Sequence, residues 1–148
     1  MPNSVESANL ILKLYELRRE ETMRKARDFM FSFDPKSFEE MTAGFMGPQS
    51  GYIRMVISYW EMAATLVTNG AIDAKMFDES NGEHIGVFAK MEPFIPQFRE
   101  QFKNPNFLKN LEQLCLGAPD GRKRVDTVRE FMRGIMATMR AQAATTRP

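Results

Sequence analysis

GYIRMVISYWEMAATLVTN, residues 51–69, decides the reading of this chain. Ile53, Met55, Val56, Ile57, Tyr59, Trp60, Met62, Leu66 and Val67 cover most of the circumference of a helix drawn through it, and such a helix belongs in the middle of a fold. Its polar residues Arg54, Ser58, Glu61, Thr65 and Thr68 are spaced by four, three, four and three, so they form one narrow stripe. Gly70 follows, able to take the left-handed conformation that closes a helix.

Helical spacing continues in both directions. A first helix is expected from an Asn3 or Ser4 cap to about Phe31, with Leu10, Leu14, Leu17, Met23, Ala26 and Met30 inside. Asp34 and Pro35 end it and open a short second helix over 35–45. Gly44, Gly47, Pro48 and Gly51 make the loop before the central helix, which is the third. Asp73 caps a short fourth helix that fades at Ser80 to Gly82. The stripe Phe88, Met91, Ile95, Phe98 and Phe102 marks a fifth, which Pro93 and Pro96 must kink or break. Asn104 and Pro105 open a sixth carrying Leu108, Leu111, Leu114 and Cys115. The seventh covers about 122–141, with Val125, Val128, Met132, Ile135 and Met139 inward. The spacing therefore predicts an all-α fold: a compact bundle of about six or seven helices in one domain at 3–141, with a frayed tail at 142–148.

Composition narrows the function classes. A chain of 148 residues with 43% hydrophobic and 26% charged residues supports a real core and excludes disordered and low-complexity classes. The net charge of +1 draws the molecule neither to nucleic acid nor to an anionic membrane. Charge is nevertheless uneven: residues 1–100 carry 11 basic and 15 acidic side chains, residues 101–148 carry 9 and 4. One cysteine and one histidine allow neither an internal disulfide nor a Cys/His zinc site, and the expected setting is the reducing cytoplasm. Met62 to Val67, apolar but for Thr65, is far short of the roughly 18 residues that span a bilayer.

Catalytic motifs fail one at a time. A calcium loop begun at Asp78 puts Glu83 where its turn glycine belongs and Ala89 where its last carboxylate belongs. His84, with no glutamate three residues before it, reads as a surface or helix-start residue, and Cys115 among leucines reads as a core hydrophobe. The adjacent carboxylates Glu20/Glu21 and Glu39/Glu40 diverge by about 100° on a helix. GAPDGRKR, residues 117–124, is one residue short of a phosphate loop and has no Ser or Thr after Lys123. Its cations Arg122, Lys123 and Arg124 oppose the dipole of the helix they start, which makes them candidates for an anion or an acidic partner. Arg129, Arg133 and Arg140 alternate with no aromatic, so no specific nucleic-acid site is expected. No metal or cofactor is called for.

Two features stand out. Twelve Met and twelve Phe exceed what one small core needs, and Phe131 and Met136 flank the inner stripe of the last helix. This surplus points to a non-catalytic interaction or regulatory module that associates through Met- and Phe-rich helix surfaces, as a homodimer or with a protein partner. The second feature is the stripe on 51–69. Should the kinked fifth segment leave an opening over it, Arg99 would approach Glu61. Arg54, Tyr59, Trp60, Glu61, Phe98 and Arg99 would then line a pocket for a small hydrophobic ligand, or else the stripe would be an internal link fixing register.

RREETMRKARDFM (18–30), YWEMAATLVTNGAIDAKMF (59–77) and EPFIPQFREQFKNPNFLKNLEQLC (92–115) together resemble a bacterial helical family catalogued only as a domain of unknown function. In that family an aromatic-Glu helix ends in Asn-Gly-x-Ile-Asp and precedes a helix carrying Pro and Arg. Some members carry a membrane segment ahead of the domain, and the expectation here is a chain without one. The resemblance implies an all-helical fold and leaves activity open.

Overall fold

The computed structural model describes residues 2–146. Helices α1 (Ser4–Arg18), α2 (Glu21–Ser32), α3 (Phe38–Met46), α4 (Ser50–Thr68), α5 (Ala74–Ser80) and α6 (Glu83–Met91) lead into a 3-10 turn at Glu92–Phe94. Then come α7 (Ile95–Gln101), α8 (Lys109–Gly117) and α9 (Gly121–Thr145), and no strand occurs among the described residues. The class is all-α, as the spacing predicts. Two of the expected helices are each divided.

The first division falls at Arg19–Glu20, although neither glycine nor proline is present. Glu20 caps α2 by accepting hydrogen bonds from the amides of Thr22 and Met23, both at 3.0 Å. Those backbone bonds, Thr22 first, hold its carboxyl below the usual carboxylate range. The apolar spacing carried the signal, because Leu17 and Met23 are six residues apart and cannot share one helical face. Leu17 is 42% exposed rather than inward. The second division is the 3-10 turn, where Pro93 and Pro96 break the fifth segment as expected.

Other boundaries differ from the sequence reading for local reasons. Helix α3 starts after Ser37, not at Pro35: Ser37 Oγ accepts from Glu40 N at 3.1 Å while Glu40 Oε2 accepts from Lys36 N at 2.7 Å. Helix α8 starts at Lys109 rather than at Asn104 or Pro105, with Leu108 in the left-handed region at φ +55°. Phe102, expected inward, is 54% exposed because α7 ends at Gln101. Helix α9 continues through Thr145, so residues 142–145 of the expected tail are helical, and residues 147–148 lie outside the described ones.

The end of α4 follows expectation. Gly70 has φ +82°, its amide donates to Val67 O at 3.0 Å, and Ala71 N donates to Leu66 O at 2.8 Å. This turn delivers Asp73, whose carboxylate accepts from Met76 N at 2.8 Å to start α5. Asp73 N in turn donates to Oγ of the buried Ser7 at 2.9 Å, tying α5 to α1.

Helix α4 is the centre. Ile53, Val56, Trp60, Ala63 and Ala64 are essentially without exposure, and α2, α3, α6 and α8 all pack on it. Trp60, Phe77, Phe88 and Phe98 are fully buried, and each such phenylalanine contributes ~1.5–3 kcal/mol of transfer free energy. Two aromatic groups form within this core. Phe98 meets Phe38, Phe45 and Phe107, while Trp60 meets Tyr59, Phe77 and His84.

Candidate functional site

The residues singled out on α4 separate. Trp60 and Tyr59 point into the core, where the Tyr59 hydroxyl donates to Leu14 O and burial pushes it up to about 12. The Arg18 guanidinium lies 5.2 Å from the Trp60 ring. Phe98 belongs to the other aromatic group. Arg54 and Glu61 instead border an open groove with Phe45 and Phe107.

Glu61 has a structural task. Its Oε1 accepts from Leu111 N at 2.7 Å, and its Oε2 accepts from Asn110 N at 3.2 Å and Asn110 Nδ2 at 3.0 Å. Leu108 offers α8 no capping side chain, so a carboxylate from α4 serves its first-turn amides instead. Thr68 Oγ1 reinforces the pairing by donating to Asn110 Oδ1 at 2.8 Å. Arg99 does not approach Glu61 as expected; its Nε donates to Phe107 O at 3.0 Å and its Nη2 to Glu112 at 3.2 Å. The stripe thus fixes the α4–α8 register.

Two of the three cations at the start of α9, Arg122 and Arg124, find acidic partners within this chain. Arg122 grips Glu92 through two bonds of 2.6 and 2.7 Å and also donates to Asp126. Arg124 donates to Asp78 at 2.8 Å. Lys123 makes no ion pair among the described residues and faces solvent. Arg129 completes the cluster with Glu92 at 2.6 Å and Asp126 at 3.0 Å. The Glu92 carboxyl is held below its usual range, chiefly by the Arg122 hydrogen bonds.

Arg129 also answers a backbone deficit. Pro93 has no amide to give Ala89 O, the acceptor four residues before it, and Arg129 donates there at 3.0 Å. A side chain of α9 therefore replaces the hydrogen bond that the kink removes.

Between α2, α6 and α9 lies a cleft of about 320 Å³ with Val56 of α4 as part of its lining. Its α6 wall consists of Gly82, the residue before the helix, with Glu83, Gly86, Val87 and Lys90, and Gly82, Gly86 and Lys90 are spaced by four along one face. A Cβ at Gly86 would stand 3.3 Å from Met132 Sδ, so the bare backbone there is what lets α9 approach. Arg27 pairs with Glu83 at 3.0 Å at the rim. Lys90 Nζ donates to Met30 O at 2.5 Å and Phe31 O at 3.1 Å, closing the end of α2, and burial pushes its ammonium down to about 8. An adjoining hollow of about 270 Å³ shares Phe31, Lys90 and Met132 with the cleft. The sequence reading missed this site, although the four-residue spacing from Gly82 to Lys90 was there to be read.

His84 starts α6 nearly as expected but is buried, not on the surface, packed on Phe77 and Trp60 with Nδ1 unpartnered. Burial pushes it down to about 4. Cys115 is a core residue, its thiol pushed up to about 12 by the same desolvation. Among the described residues no three His, Cys, Asp or Glu side chains converge as a metal cage requires, and no helix is long and apolar enough to cross a membrane.

Helix α9 leaves the body in its second half. Phe131, at the cleft, is 67% exposed, and Met139, expected inward, is 42% exposed, although Met136 lines the adjoining hollow and Arg140 reaches Asp34 at 3.6 Å. No curated protein and no solved structure shows a significant match to the chain. Residues 3–117, about three quarters of the chain and every helix before α9, match the family model described as Domain of unknown function (DUF4760), and the chain belongs to that family.

Proposed function

We propose that this protein is a non-catalytic interaction module of the cytoplasm that pairs with a second copy of itself through α9. The observation that carries the reading is the continuity of one stripe. Val125, Val128 and Met132 pack on the body, and half-buried Ile135 and exposed Met139 continue the same face outward. An apolar face that outruns its own domain gains most from an identical face, since a twofold pairing uses every residue twice. Sedimentation of the wild type across the micromolar range tests this. A dimer that Met139→Glu dissociates supports it, and a monodisperse monomer at high micromolar concentration removes it.

A second reading, binding of a small hydrophobic ligand, is favoured by one observation of its own. The cleft between α2, α6 and α9 is mainly apolar and bottomed by core residues such as Met30 and Val56. On this reading the ligand lies beside Lys90 rather than beside Trp60. Saturable binding of an alkyl amphiphile that shifts the Met30 and Met132 methyl resonances supports this reading; silence at both removes it.

A further inference from the structure

The ligand-binding reading fixes a place and leaves the ligand's chemistry open. The α6 wall supplies that chemistry. Gly82 and Gly86 offer bare backbone along the cleft, and four residues further on the same face ends in the Lys90 ammonium. With Val87 beside the two glycines and Met30, Val56 and Val128 across from them, this low apolar surface suits an unbranched alkyl chain. Lys90 uses two of its three N–H donors on the carbonyls of Met30 and Phe31, which leaves one.

The charges around this ammonium show what it lacks. Glu83 is held by Arg27 at the other end of the cleft. Asp34, across the adjoining hollow, is taken by Lys36 at 2.7 Å and by Arg140 at 3.6 Å. Arg129 is engaged by Glu92 and Asp126. Arg133 also lines the hollow and makes no ion pair among the described residues. Half-buried Lys90 therefore faces an apolar space with carbonyl partners and no carboxylate of its own, an arrangement that an incoming anion relieves.

We infer that the cleft between α2, α6 and α9 holds a long-chain carboxylate, its alkyl chain along Gly82 and Gly86 and its head on the Lys90 ammonium. One free donor on Lys90 suits a singly charged head; a phosphate dianion would call for several. This inference rests on the ligand-binding reading and adds the charge and class of the ligand to it.

The full chain, labelled with ¹³C at its methionine methyls, is titrated below their micelle concentrations with dodecanoate, dodecanol, dodecyl phosphate and dodecyltrimethylammonium. The Met30 and Met132 resonances report the cleft, and exposed Met46 serves as the control. Dodecanoate is expected to move the first two saturably and to bind at least about tenfold more tightly than dodecanol, the size of a charge-assisted hydrogen bond. Lys90→Met should abolish that preference while dodecanol binding persists, and Lys90→Arg should keep it. If Lys90→Met does not fold, the order of the four amphiphiles on the wild type still decides. Equal binding of alcohol and carboxylate, or tighter binding of the phosphate, overturns the carboxylate and leaves the cleft reading standing. No shift with any of the four overturns both.

Discussion

The two halves of α9 are one helix with two fates. Residues 121–133 are anchored: Val125 is fully buried, Arg122 and Arg129 clasp Glu92, and Met132 lies against the bare backbone of Gly86. Residues 134–145 carry a similar apolar spacing and are exposed apart from half-buried Ile135 and Met136. The stripe is thus necessary for docking but does not define its extent. What separates the halves is the reach of the partner: α6 and the turn after it end near Phe94, and beyond them α9 meets the body through Met136 at the hollow and the exposed Arg140–Asp34 pair.

The largest effect that would break the anchored half comes from acid. His84 of α6 is buried and neutral, its proton affinity lowered first by desolvation to about 4 against 6.5 when free, with Asp78 opposing and Arg124 and Arg18 assisting. The unfolded chain therefore binds more protons between pH 6.5 and 4. Stability is full above 6.5, falls as pH drops through that window, and is lost by about 3 kcal/mol below it. Urea unfolding at a series of pH values should show this slope, and His84→Phe should flatten it.

Next comes Glu92→Ala, which strands Arg129 beside Ala89 O and removes both bonds to Arg122. A loss of about 2 kcal/mol in urea unfolding is expected, below the figure for a deeply buried pair because Arg122 is half exposed. Arg122→Ala should cost about 1 kcal/mol, whereas dipole reasoning from sequence alone expects a slight gain. A stabilised Arg122→Ala variant would show that the clasp adds nothing to docking.

In the projecting half, Met139→Glu should change monomer stability by less than about 0.5 kcal/mol. The same change should dissociate the proposed dimer in sedimentation. A large stability loss would mean that these turns are covered within the monomer. The smallest effect belongs to Lys123→Ala, a gain of a few tenths of a kcal/mol in thermal unfolding, since this cation opposes the dipole without a partner.

Much of the fold was legible because the core is regular. The 51–69 helix, the Gly70 turn, the Asp73 cap and the Pro93–Pro96 kink all follow from side-chain spacing and local backbone chemistry. The break after Arg18 was legible too, in the six-residue step from Leu17 to Met23. What sequence could not supply were the partners brought together across the fold. Nothing near Glu61 says that it will cap a helix starting at Lys109, and nothing near Arg129 says that Ala89 O will lack a donor. The candidate cleft lies between these cases: its α6 wall is written in one helix, but its lining from α2 and α9 is known only once those helices are in place.

The hydrogen bond from Arg129 to Ala89 O bears on what counts as a self-sufficient piece of this molecule. The stretch 3–117 is recognisable by inheritance, yet the donor that completes its kinked segment sits a dozen residues past its end. Excised at that limit, it would expose a starved carbonyl, an unmatched Glu92 and the greasy seat of Val125. The stretch that the family match covers and the stretch that stays dry have different edges.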